Sequence, residues 1–127
     1  MSILGIGTDI VSVDRIKNSI KNKKFLKRVF NKKEIFKCIN IKTKTNCFAK
    51  RFAAKEAFSK ALGTGISKGI NLNEIVVLNK KSGKPYIYLI GKTKKILSQK
   101  FKGKKSKVSL SLSDEKKFAV AFVTISL

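Results

Sequence analysis

The stretch from Asn46 to Gly63 most restricts how this chain can fold. Cys47 to Leu62 keeps a 3.6-residue period, opened by Asn46 and stopped by a glycine suited to the left-handed position that ends helices. Phe48, Phe52, Phe58 and Leu62 fall on one broad arc, so the helix must be covered by core, although Arg51 and Lys55 fall within the same arc. On the adjacent flank Glu56 and Lys60 lie one turn apart, beside Ala49, Ala53 and Ala57. Small residues around a carboxylate and an ammonium leave room for a ligand. The same spacing also suits an exposed pair worth about 0.2–0.5 kcal/mol.

Around this helix the chain alternates between periods. Ile3 to Val11 reads as a strand with Leu4, Ile6, Thr8 and Ile10 on one face and Gly5, Gly7 and Asp9 on the other. Two glycines beside a carboxylate leave bare backbone that a ligand can approach, or that marks a bulge or tight packing contact. Ser12 caps a short helix carrying Asp14 in its first turn, and Asn31 followed by Glu34 opens another. Phe25 to Phe30 is an apolar cluster, and Ile41 to Asn46 reads as a polar loop. Ile75 to Leu78 and Tyr86 to Leu89 are strands joined by a turn-rich hairpin connection, and Lys92 to Phe101 is helical. Lys107 to Ser113 alternates, and Phe118 to Ile125 is apolar on both faces, which places it centrally in a sheet or against a neighbouring subunit. The reading is one α+β domain spanning residues 1–127: an antiparallel sheet packed with helices around one long central helix.

Composition removes several chemistries. The chain has no histidine and only two cysteines, Cys38 and Cys47, which excludes the usual zinc sites, Cys-His nucleophiles and Ser-His-Asp triads. The two cysteines read as buried or idle thiols, and any metal as a hard cation on oxygen ligands. Thirty basic residues against seven acidic ones give a net charge of +23, which implies an anionic partner. Only Arg15, Arg28 and Arg51 are arginines, so the excess is lysine, which also arises from genome base composition as a plain solvated surface. Met1 to Leu4 runs directly into the first strand without a basic n-region, and no apolar run approaches the roughly 20 residues of a membrane span. The expectation is a soluble, cytoplasmic protein without a membrane role.

Gly63-Thr64-Gly65 follows the central helix, and a hydroxyl between two glycines suits backbone amides meeting a phosphate. Four segments then occur in order. They are Gly5-Ile6-Gly7-Thr8-Asp9-Ile10-Val11, then Arg51-Phe52-Ala53-Ala54-Lys55-Glu56-Ala57 with Lys60 to Gly65, then Gly83-Lys84-Pro85, and Val108-Ser109-Leu110-Ser111. Together they resemble the bacterial holo-[acyl-carrier-protein] synthase family of phosphopantetheinyl transferases. The resemblance runs from Gly5 to the last strand and is weakest across Lys17 to Thr45.

The resemblance implies Mg2+-dependent transfer of 4′-phosphopantetheine from coenzyme A to a serine of an acidic acyl carrier protein, in fatty acid biosynthesis. It makes Asp9 and Glu56 the metal-binding carboxylates and, with Lys60, the catalytic residues. Lys60 meets the pyrophosphate; Gly63, Thr64 and Gly65 line the nucleotide, with Gly83, Lys84 and Pro85 near the adenine. Arg51 takes the 3′-phosphate and Arg15 faces the carrier protein. The family also implies a homotrimer with sites between subunits. Lys107 and Leu112 stand where the family usually has histidines; Lys107 retains a charge for phosphate, whereas Leu112 retains nothing polar. The rival class is a nucleic-acid binder, supported by charge alone. Against it stand the scarcity of arginine, the lack of a recognised binding module and the lack of basic patches interleaved with aromatics, so no nucleic-acid partner is expected.

Overall fold

A computed structural model describes residues 2–63 and 69–127. Among the described residues five strands and five α-helices succeed one another. Strand β1 (Ile3–Ser12) leads into α1 (Val13–Ser19), α2 (Lys23–Val29), α3 (Lys32–Cys38) and the long α4 (Lys44–Leu62). A single 3-10 turn, Leu72–Glu74, precedes the β2 (Ile75–Asn79) and β3 (Pro85–Leu89) hairpin. Helix α5 (Gly91–Lys100) and strands β4 (Lys107–Asp114) and β5 (Phe118–Ser126) complete the chain. The strands form two antiparallel sheets, one ordered β1-β5-β4 and the other β2-β3. The α+β expectation is met, with two sheets sharing one core.

Helix α4 is the axis of that core. Phe48, Ala49, Ala53, Ala54, Ala57, Phe58 and Leu62 are all fully buried, so the helix is covered on nearly every side. It begins at Lys44, three residues before the expected start, because Thr43 rather than Asn46 occupies the cap position and makes no side-chain cap bond. Asn46 is used elsewhere: its Nδ2 donates to Asp114 Oδ2 at 2.8 Å and to the Glu115 carbonyl at 3.0 Å, tying the helix start to the β4–β5 turn. Gly63 ends the helix at φ +83°, the left-handed conformation expected of it.

The glycine strip of β1 faces α4, not a ligand. A Cβ at Gly5 would run into the Ala61 carbonyl oxygen, and one at Gly7 into that of Ala57. Backbone therefore meets backbone, and the tight-contact reading of Gly5 and Gly7 is the correct one. The alternate face of β1 is open: Ile6 is 62% and Ile10 64% exposed, beside Phe118, Val120 and Phe122 of β5. Strand β5 is central in its sheet, and its inner residues Ala119, Ala121, Val123 and Ile125 are fully buried.

The cysteines correct the sequence reading. Cys38 and Cys47 are joined in a disulfide that ties the end of α3 to the first turns of α4. Both are buried, but neither is an idle thiol. The capping box at Asn31 and Glu34 forms as expected, and Glu34 does more than cap. It is fully buried, accepts from the Asn31 and Val77 amides at 2.9 and 3.0 Å, and pairs with Lys55 Nζ at 2.7 Å. Lys55 also donates to the carbonyls of Leu72 and Ile75, so one ion pair joins α3, α4 and β2. Burial pulls the Lys55 pKa down to about 8 despite the opposing charge of Glu34. No helix among the described residues is long and apolar enough to cross a membrane.

Candidate active site

Two clusters of chemical side chains leave α4 on opposite flanks. Lys60 and Arg51 are nine positions apart, about two and a half turns, so they point away from each other. Lys60 reaches β1, and Arg51 reaches β2.

The β1 flank holds Asp9, Glu56, Lys60 and Arg15. Lys60 Nζ donates to the Thr8 carbonyl at 3.0 Å and to Asp9 Oδ1 at 3.3 Å. Burial raises the Asp9 pKa, against the hydrogen bond and charge of Lys60 and the charge of Arg15. Burial raises Glu56 as well, and the charge of Asp9 adds to it, while Lys60 and Arg15 pull the other way. The two carboxylates therefore lie within electrostatic reach of each other and are partly desolvated, with two cations beside them. That is the donor chemistry of a hard divalent cation. No group of three or more acids, histidines or cysteines gathers among the described residues. Two carboxylates would leave most of the coordination positions of such a cation to other oxygen ligands. Asp9 owes its place to the strand contact with α4, Glu56 to the alanine flank. The sequence reading brings these three residues together, and the structure does the same.

The opposite flank opens a cavity of about 550 Å³. Lys37, Lys50, Arg51, Lys80 and Lys81 line it against a single acid, Asp114, so it is built for an anion. Gly83 and Pro85 also line it, as expected, whereas the Lys84 side chain between them is exposed and does not. Leu112 contributes an apolar wall to the same cavity. Arg51 is only 4% exposed, and burial lowers its pKa against the raising charge of Glu34. Its Nη1 donates to the Cys47 carbonyl at 3.2 Å and to Cys47 Sγ at 3.3 Å, and its Nη2 to Asn79 Oδ1 at 2.8 Å.

Lys107 joins neither cluster within one chain. It is exposed at the start of β4, roughly 17 Å along the strand from Leu112 at strand rise. Thr64 and Gly65 lie outside the described residues; Gly63 is at the end of α4, where a Cβ would come 3.4 Å from Lys100 Nζ. Asn79 and the lysines at 37, 50, 80 and 81 were not singled out from sequence. Their only signal there is position, at a strand end and in basic loops, which many lysines share.

Residues 5–123 match the model of the 4′-phosphopantetheinyl transferase superfamily. The chain is 50% identical over 125 residues to the holo-[acyl-carrier-protein] synthase of Pelagibacter ubique, covering 98% of each. A crystal structure of the Neisseria meningitidis holo-[acyl-carrier-protein] synthase superposes with a TM-score of 0.86 at 38% identity, over 99% of this chain and 100% of that one. The Helicobacter pylori holo-[acyl-carrier-protein] synthase, in complex with coenzyme A, does so with a TM-score of 0.81 at 35% identity, over 95% and 99%.

Proposed function

The chain belongs to the 4′-phosphopantetheinyl transferase superfamily, and we propose that it transfers 4′-phosphopantetheine from coenzyme A to a serine of apo acyl carrier protein. The observation that carries this reading is the convergence of Asp9, Glu56 and Lys60 on one flank of α4, beside Arg15. Asp9 and Glu56 would hold Mg2+, which when bound neutralises charge on the pyrophosphate as the leaving group departs.

The chain's own residues do the rest. Lys60, held by Thr8 and Asp9, places its ammonium where negative charge builds on the bridging oxygen. The serine oxygen attacks the β-phosphorus of the pyrophosphate, and the bond to the bridging oxygen breaks as 3′,5′-ADP leaves. The serine proton passes to Glu56 or to a water beside it. The opposite flank receives the nucleotide end, with the 3′-phosphate at Arg51 and the adenine against Gly83 and Pro85. Arg15, at the start of α1 near the carboxylates, grips an acidic carrier.

Assembly as a homotrimer, which the family resemblance implies, is part of the same proposal. One substrate that meets both flanks of α4 is most simply held between two copies, each giving one flank. The exposed apolar face of Ile6, Ile10, Phe118 and Phe122 supplies a surface for such an assembly. In the same arrangement Lys107 can meet a phosphate held by a neighbouring copy.

The test incubates the protein with coenzyme A, Mg2+ and an apo acyl carrier protein and reads intact mass. A gain of one phosphopantetheine on the carrier is expected, and none without Mg2+. An unmodified carrier under these conditions would overturn the proposal. Light scattering should give a trimer; a fully active monomer would remove the shared site.

A further inference from the structure

Two cations are buried on one face of α4, four residues apart, and they are treated differently. Lys55 is matched by the carboxylate of Glu34. Among the described residues Arg51 hydrogen-bonds only neutral acceptors: the Cys47 carbonyl, a disulfide sulfur and the Asn79 amide oxygen. Its Nε is buried and has no partner among the described residues. Burying a guanidinium without a counter-charge is costly unless an anion completes it. Such a group stands ready for a ligand.

We propose that Asn79 is a positioning residue that aims Arg51 while leaving its charge uncompensated, and thereby makes the pocket select coenzyme A over its 3′-dephospho form. The inference rests on the reading that this pocket takes the 3′-phosphate. Asn79 holds both sides of the pocket. Its Oδ1 accepts from Arg51 Nη2 at 2.8 Å, and its Nδ2 donates to the Gly83 carbonyl at 3.0 Å. The hairpin turn is closed on itself by Gly83 N to Lys80 O at 2.8 Å and Lys80 N to Lys84 O at 2.9 Å. One amide therefore fixes the guanidinium relative to the loop carrying Lys80, Lys81 and Pro85. An aspartate here would make a stronger bond to Arg51 but would consume its charge. The other acid on the pocket is already engaged, by Asn46 at 2.8 Å and Lys50 at 3.7 Å. Neutrality at position 79 is what keeps Arg51 available.

Steady-state kinetics with coenzyme A and with 3′-dephospho-coenzyme A, on the intact protein with apo carrier and Mg2+, test this. Arg51→Met addresses the reading beneath it and should abolish the preference for coenzyme A. Asn79→Asp should lower that preference by about tenfold or more through the KM for coenzyme A, with kcat and the KM for the dephospho form little changed. Asn79→Ala, which frees Arg51 without adding charge, should lower it less. In an Arg51→Met background Asn79→Asp should change the preference no further, because Asn79 acts through Arg51. Additive losses in that double variant would mean simple repulsion of the phosphate and would overturn the inference. So would an unchanged preference in Asn79→Asp, or in Asn79→Ala should the aspartate variant not fold, while Arg51→Met loses it. If Arg51→Met keeps the wild-type preference, the 3′-phosphate reading fails and the inference with it.

Discussion

Helix α4 carries two lysine–carboxylate pairs five positions apart. Lys55 and Glu34 sit at 2.7 Å with both side chains fully buried, whereas Lys60 and Asp9 sit at 3.3 Å with side chains 57% and 16% exposed. The first pair is saturated, since Glu34 takes two backbone amides and Lys55 two backbone carbonyls besides each other. The second is left open: Lys60 makes one carbonyl bond besides Asp9, and Glu56 stands nearby with its pKa raised chiefly by burial. A closed pair holds three elements in place. An open pair with bonds left to make has affinity for something else. The identity of the residues does not separate the two cases; the number of bonds left to make does.

The largest effect should come from emptying the open cluster. Asp9→Ala and Glu56→Ala should each reduce transfer about a thousandfold or more, in line with losing several kcal/mol of charge stabilisation. The fold should be retained by circular dichroism. Either variant with near-normal turnover in Mg2+ would remove that residue from the site. Because both carboxylates have raised pKa values, their ionisation opposes folding: their contribution is present at low pH and lost as pH rises through the folded-state pKa. Each variant should therefore gain Tm relative to wild type near neutral pH.

Breaking the closed pair should do the reverse. Lys55→Met or Glu34→Gln leaves a buried charge without its partner and should cost about 3–5 kcal/mol, read by denaturant unfolding. Unchanged stability would mean the pair is not the clasp its geometry describes. Arg15→Glu comes next: the KM for carrier protein should rise about tenfold and depend less on salt, with the coenzyme A KM barely changed. Loss of coenzyme A binding instead would remove Arg15 from carrier docking.

The smallest effect concerns pH. Burial holds the Lys55 pKa at about 8, below its ordinary 10.5, so the unfolded state binds more protons between those values. The Lys55 contribution therefore increases stability as pH rises from about 8 to about 10.5 and is constant below about 8, where both states carry the proton. Thermal unfolding of wild type against Glu34→Gln/Lys55→Met should show this slope only in wild type.

Local signals were legible, and distant pairings were not. The Asn31–Glu34 capping box follows from spacing three, but the bond from Glu34 to Lys55 crosses 21 positions and leaves no local trace. The period of β1 separates its faces correctly, yet period alone does not say whether a helix backbone or a ligand meets Gly5 and Gly7. Two cysteines nine positions apart on either side of a loop carry no pairing signal until two helices bring them together. Asp9, Glu56 and Lys60 stood out as candidates because small residues beside them mark space, and because their motifs resemble a known family. Asn79 was not, because a polar residue at a strand end is ordinary until Arg51 is seen against it.

The contact of Gly5 and Gly7 with the carbonyls of Ala61 and Ala57 has a metrological meaning. Asp9 and Glu56 ride on two elements whose spacing is set by main chain resting on main chain. Side chains can change rotamer and let neighbouring elements settle closer or farther apart; peptide groups in contact cannot. The separation of the two carboxylates is thus gauged by covalent dimensions common to every peptide, and is insulated from drift elsewhere in the core. Replacing either glycine by alanine would drive a Cβ into a main-chain carbonyl oxygen and prise strand and helix apart, and its signature would be lost stability.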